Sequence, residues 1–241
     1  MQNAAFLAAG LDWSYELLDV PVDQLRPALE KVRGKDCAGA NVTIPHKLAV
    51  MQHLDRLDPE ALRVHAVNTI SRAGDNLVGS NTDVAGIGAA MAEIGFEPRG
   101  SKVVVLGAGG SARAAAVALD GSHLTFVARH PDRAGEMPGR VVAWDSPEWQ
   151  PLVRSADLLV NATPLGRREE MPMRPNALPQ AGAVIDLVYV SGGTPLVRKA
   201  RALGLRTADG WTVLLAQGAR SFEIWTGRPA PIDAMRAAVT G

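Results

Sequence analysis

The sequence predicts an α/β protein built on a parallel sheet, and three observations carry that prediction. Strand-like and helix-like segments alternate along most of the chain. Continuous apolar runs recur from Lys102 onward, as in strands buried on both faces. One such run leads through Gly107-Ala108-Gly109-Gly110-Ser111-Ala112 into an alanine-rich helical stretch. With 241 residues, 47% of them hydrophobic, the chain can bury a real core as one large or two smaller domains.

Lys plus Arg and Asp plus Glu both number 25, and no basic tract is present. That balance argues against nucleic acid or a charged membrane surface as a partner. A single cysteine, Cys37, excludes an intramolecular disulfide and a multi-cysteine zinc site, so a reducing, cytoplasmic setting is expected. No apolar run approaches the roughly 20 residues of a membrane span, and no basic-then-apolar leader opens the chain. His46, His53 and His65 lack the spacing of a metal site, and no metal is expected.

In order along the chain, residues 15–20 alternate up to Pro21 and predict a strand, and residues 22–32 have helical spacing. Residues 39–43 predict a second strand. Pro45 then suits the first position of a helix running through Lys47 to Leu54. Asp58-Pro59 is a cap-plus-proline start for a helix to about His65. Residues 67–71 and 77–80 flank Ala73-Gly74-Asp75-Asn76 as a hairpin. A small-residue helix around residues 83–100 marks a domain boundary. Beyond it, strands are predicted at residues 102–106, 124–128, 141–144, 158–160 and 183–189, with helix starts at Ser146-Pro147 and Thr194-Pro195. The last helix is predicted from about Val213.

The glycine-rich segment has the context of a dinucleotide-binding turn. Gly107 permits the tight turn, Gly109 lets backbone approach a pyrophosphate, Ala112 allows close packing, and the helix amides offer positive potential. Where NAD enzymes usually carry an acid for the ribose hydroxyl, this chain has Arg129, with Arg133 nearby. A guanidinium suits a 2′-phosphate, so the cofactor expected is NADP. In the N-terminal half, the predicted helix puts Lys47 in its first turn, where the helix dipole opposes a positive charge and an anion is needed. If Arg72 pairs with Leu77, then Asn68 faces Asn81, and Asn68, Asn81, Thr82 and Asp83 converge with Asp83 as the candidate anion.

These residues resemble the shikimate dehydrogenase family. The likeness rests on Asn41-Val42-Thr43-Ile44-Pro45-His46-Lys47, Ala66-Val67-Asn68-Thr69, Asn81-Thr82-Asp83 and the stretch 107–113. It continues through Asn161-Ala162-Thr163-Pro164-Leu165-Gly166, Asp186-Leu187-Val188-Tyr189 and Gln217 to Gly227, so it spans nearly the whole chain in order. It implies a substrate domain of residues 1–84 and 213–241 and a Rossmann-type NADP domain of residues 85–212. It implies that Lys47 and Asp83 are the catalytic pair and that Thr43, Asn68, Asp83, Tyr189 and Gln217 contact the substrate. Gly107, Ala108, Gly109, Gly110, Ser111, Arg129, Arg133, Leu187 and Gly210 would lie along NADP. The implied activity is reversible, NADPH-dependent reduction of 3-dehydroshikimate to shikimate, with Lys47 moving the proton. Association as a homodimer is left open.

The chain departs from the family pattern in several places. Val84 stands where the family has glycine, Ala128-Arg129-His130 keeps only the arginine of the usual triplet, and Val213 replaces a methionine. Met1-Gln2-Asn3-Ala4-Ala5-Phe6 matches the helix that follows a strand and a His-Ser-x-Ser-Pro turn in the family. Without those serines the chain is expected to bind NADPH but to bind shikimate weakly. Two alternatives stay open: a dehydrogenase of quinate or another polyol acid, and a non-catalytic NADP-binding relative.

Overall fold

The computed structural model describes residues 1–240, and the side chains of Arg133 and Thr240 lie outside what is described. The chain divides into two compact units, Met1–Asp83 with Leu215–Gly241, and Val84–Leu214. No helix among the described residues is long and apolar enough to cross a membrane.

The first unit begins with helix α1 (Gln2–Ala8), whose Phe6 stacks on Phe222 at 5.8 Å and meets Trp13 edge-on at 5.5 Å. Helix α2 (Leu25–Val32) follows a 3-10 turn and buries Leu25, Leu29 and Val32 on one stripe. Strand β1 (Gly39–Asn41), β2 (Arg56–Leu57), β3 (Thr69–Ala73) and β4 (Asn76–Ser80) form a sheet in the order β1-β3-β4-β2. The β3–β4 hairpin pairs Arg72 with Leu77, and Ala73 with Asn76 across Gly74-Asp75, in the register read from the sequence. Helix α3 (Pro59–Val64) is capped by Asp58, whose carboxylate accepts from the Ala61 amide at 2.6 Å.

Two expectations fail here. Residues 15–20 form no strand, and Leu17 is 94% exposed. Alternation yields a strand only where another backbone lies alongside to bond it. This stretch is instead tethered at separate points: the Tyr15 amide and carbonyl bond to the Asn3 side chain, and the Val20 carbonyl meets His46 Nε2 at 2.8 Å. Nor does an α-helix start at Pro45. The Ile44–Pro45 peptide is cis, residues 44–48 are turns, and only a 3-10 helix forms at Ala49–His53. The Lys47 carbonyl, which a helix would bond four residues on, accepts from the Val67 amide at 2.8 Å.

The second unit holds α4 (Asp83–Glu93, its first residue belonging to the first unit) and then alternates strand and helix. Its strands are β5 (Lys102–Leu106), β6 (His123–Ala128), β7 (Arg140–Ala143), β8 (Leu158–Asn161), β9 (Ala183–Asp186) and β10 (Arg206–Ala208). They pair in parallel in the order β10-β9-β8-β5-β6-β7. Helices α5 (Gly110–Ala118), α6 (Trp149–Arg154) and α7 (Pro195–Ala202) connect them over a core that includes Leu106, Val127, Trp149, Leu159, Val184 and Leu196. Helix α8 (Gly210–Thr226) runs from this unit into the first, where α9 (Ile232–Thr240) ends the chain.

Smaller differences have local causes. The strand predicted to reach Tyr189 stops at Asp186, whose side chain turns back to cap the Val188 amide at 3.0 Å. Ser146-Pro147 does not open α6, which begins at Trp149; Ser146 Oγ accepts from the Glu148 amide at 3.3 Å and makes a turn instead. The helix expected from Val213 starts at Gly210.

Candidate functional site

The polar residues of the first unit meet around a buried ion pair. Lys47 Nζ lies 2.6 Å from Asp83 Oδ2, and the two residues are 9% and 8% exposed. The lysine sits in turns rather than in the first turn of an α-helix, so the helix-dipole reason for an anionic partner does not hold. The reason is burial: an ammonium removed from water needs a compensating charge and hydrogen bonds. Asp83 is the first residue of α4, where a carboxylate suits the helix dipole, and its amide donates to Asn81 Oδ1 at 3.1 Å.

Asn68 completes the carboxylate's surroundings. Its Nδ2 donates to Asp83 Oδ1 at 2.7 Å and to Thr82 Oγ1 at 3.0 Å, and stands 3.5 Å from Gln217 Oε1. Its Oδ1 accepts from the Thr82 amide at 2.7 Å and from Thr69 Oγ1 at 2.9 Å. Asn81 turns away and donates to the Ala66 carbonyl at 2.8 Å, tying the hairpin's end to the turn before β3. Of the predicted residues in this unit, Lys47, Asp83, Asn68 and Gln217 are thus brought together, and Thr43 lies exposed in the turn leading to Lys47. No site role is assigned from the sequence to Asn41, Thr69 or Ser221, which are joined to this cluster by hydrogen bonds. Hydroxyls and amides in short strands and helices carry no periodic signal.

In the second unit the predicted glycine loop lies at the carboxyl ends of the strands, beside the point where strand order reverses between β5 and β8, the usual ligand position of an open parallel sheet. Gly107 has φ 110°, and a Cβ on it would lie 3.1 Å from the Ala162 carbonyl oxygen, so this turn requires glycine. Gly109 caps α5 with nothing within 4 Å of where a Cβ would sit. The amides of Gly110 and Ser111 therefore open the helix behind an uncluttered approach. Arg129 is exposed just past β6 and makes no hydrogen bond or ion pair among the described residues, while the Arg133 side chain is outside them. Arg113, unforeseen from the sequence, reaches from α5 to the Ala134 carbonyl at 2.5 Å and holds the loop after β6.

A second polar cluster ties the neighbouring loops. Asp186 accepts from Thr194 Oγ1 at 2.6 Å, Asn161 Nδ2 at 2.9 Å and the Val188 amide. Burial pushes its carboxyl up to about 6, against the pull of those three donors. Leu187 follows on the loop after β9, and Tyr189 is 42% exposed against Trp211 at 5.3 Å. Gly210 packs against this loop so closely that a Cβ would lie 2.5 Å from the Val188 carbonyl carbon. No group of three or more His, Cys, Asp or Glu side chains among the described residues is placed to hold a metal ion.

Residues 1–70 match the shikimate dehydrogenase substrate binding domain, and residues 210–240 match the shikimate 5′-dehydrogenase C-terminal domain. The shikimate dehydrogenase (NADP(+)) of Moorella thermoacetica is 40% identical over 251 residues, covering 98% of this chain and 85% of that protein. The crystal structure of shikimate 5-dehydrogenase from Thermus thermophilus in complex with NADP(H) and shikimate is 36% identical. It superimposes with a TM-score of 0.85 over 98% of this chain and 91% of that one. The ligand-free 5-ketofructose reductase of a Gluconobacter strain is 33% identical with a TM-score of 0.81, over 98% and 90% of the two chains. The chain belongs to the shikimate dehydrogenase family.

Proposed function

We propose that this chain is an NADP-dependent oxidoreductase that interconverts 3-dehydroshikimate and shikimate. The observation that carries the reading is the buried Lys47–Asp83 pair at 2.6 Å, held by Asn68 beside Gln217 in a chain 40% identical to a shikimate dehydrogenase (NADP(+)). Residues 1–84 and 213–241 would bind the substrate, with Thr43, Asn68, Asp83 and Gln217 as contacts and Tyr189 a further one. Residues 85–212 would bind the cofactor.

The residues of the second unit fit a phosphorylated dinucleotide. Gly107 makes the turn, its own amide held by the Val127 carbonyl, and Ala108, Gly109 and Gly110 offer backbone amides where Ser111 continues the helix. Arg129 offers a guanidinium with no partner among the described residues, and Leu187 and Gly210 would border the cofactor. NADPH, when bound there, supplies the hydride. Lys47 Nζ donates a proton to the oxygen that becomes the hydroxyl and is then reprotonated from solvent. In the oxidative direction it accepts that proton. Asp83 Oδ2 aims the ammonium, and Asn68 fixes the carboxylate by holding Oδ1.

The test is initial rates with shikimate and NADP⁺, repeated with NAD⁺ and with quinate. Turnover is expected with shikimate and NADP⁺. The likeness to 5-ketofructose reductase favours a second reading, reduction of an uncharged keto sugar by the same proton donor. Turnover of 5-ketofructose with NADPH, and none of shikimate, would replace the first reading by the second.

A further inference from the structure

Behind Asn68, three buried hydroxyls close on one another. Ser221 Oγ, on α8, lies 2.9 Å from Thr69 Oγ1 and 3.1 Å from Thr82 Oγ1, and those two are 3.2 Å apart. Asn41 Nδ2 donates to Ser221 Oγ at 3.0 Å and to Thr69 Oγ1 at 3.1 Å. Asn41 Oδ1 in turn accepts from the Tyr15 hydroxyl at 3.1 Å. Ser221 donates to the Gln217 carbonyl one turn back at 3.0 Å. All three hydroxyl residues are buried.

Each hydroxyl has one hydrogen, and that restricts the directions. With the Ser221 hydrogen on the Gln217 carbonyl, Ser221 Oγ is an acceptor for Asn41 and Thr82. With its hydrogen on Ser221, Thr82 Oγ1 accepts from Asn68 Nδ2 at 3.0 Å, while Thr69 Oγ1 donates to Asn68 Oδ1 at 2.9 Å. Asn68 Oδ1 thus faces donors, the Thr82 amide among them, and Nδ2 faces acceptors, Asp83 Oδ1 among them. A flipped amide would set its oxygen against the Asp83 carboxylate and its NH₂ against the Thr82 N–H, two repulsive contacts in a buried place.

We propose that Ser221 is a positioning residue: as the acceptor behind Thr82, it locks Asn68 in the orientation that donates to Asp83 Oδ1 and leaves Oδ2 to Lys47. The proposal rests on the reading of Lys47 and Asp83 as the proton-transfer pair. Ser221 touches neither Lys47 nor Asp83, and its side chain reaches that pair through Thr82 and Asn68.

The experiment is a double-mutant cycle on kcat for shikimate oxidation with Ser221→Ala and Asn68→Ala. Ser221→Ala should lower kcat about 2- to 10-fold, the range for one lost hydrogen bond, with the KM for NADP⁺ unchanged. The double variant should be no slower than Asn68→Ala alone, because a residue that acts through Asn68 has nothing left to position. Additive losses, or a wild-type kcat in Ser221→Ala, overturn the proposal. Should Ser221→Ala fail to fold, Thr82→Val removes the hydroxyl between Ser221 and Asn68 and enters the same cycle. Full activity in Lys47→Ala removes the proton-transfer reading and this proposal with it. An inactive Lys47→Ala beside an additive cycle removes this proposal alone.

Discussion

Lys47 shows how a side chain can be identified for one reason and placed for another. The sequence marks it as a lysine in need of an anion, and Asp83 is at 2.6 Å. Yet the need comes from burial in a turn whose carbonyl is taken by Val67, not from a helix dipole. The convergence of Asn68, Thr82 and Asp83 was legible because hairpin register follows from a two-residue turn and a single pairing. Ser221 was not, since a serine four residues after Gln217 on a helix has no pattern to set it apart. Arg129 makes a second residue-scale claim. An exposed guanidinium with no partner among the described residues is available for a 2′-phosphate. Arg129→Asp should weaken NADPH binding about 10- to 100-fold, as expected for a lost charge-assisted bond, and leave NADH nearly unchanged. Fluorescence titration of both cofactors checks this, and equal weakening of the two would separate Arg129 from the phosphate.

Among elements, the strands of the second unit were the most legible. Lys102–Leu106 and Leu158–Asn161 are apolar on both faces because helices cover both sides of a parallel sheet. Elements set by tertiary partners were not legible: Arg56–Leu57 is too short to show a period, and Arg206–Ala208 joins the sheet only because β9 lies beside it. The carboxyl ends of β8 and β9 are bound to the start of α7 by Asp186, Asn161 and Thr194. The Asp186 carboxyl is raised from its ordinary value of 3.8 to about 6 by burial. A raised acid binds its proton more tightly in the folded than in the unfolded chain. Its stabilising contribution is therefore complete below the unfolded value and is lost as pH rises through about 6. At about 1.4 kcal/mol per pH unit, the loss is on the order of 2–3 kcal/mol. Asp186→Asn removes this titration, so thermal melts should show wild type losing stability relative to the variant between about pH 4 and 7. A constant difference across that range would mean that the Asp186 carboxyl titrates no higher in the folded chain than in the unfolded one.

For the molecule as a whole, the resemblance read from motifs and the comparisons agree on one family across both compact units. The central claim is that the buried lysine of the first unit moves the proton while the glycine-rich turn of the second holds NADP. Its two parts separate in one variant, because Lys47 and the Gly107–Ser111 turn belong to different units. The direct measurement is the initial rate of shikimate oxidation by wild type and Lys47→Ala, with NADP⁺ affinity measured by calorimetry on both. The account predicts a loss of rate of roughly 10²–10⁴-fold with NADP⁺ affinity unchanged. A variant that oxidises shikimate at the wild-type rate would contradict it.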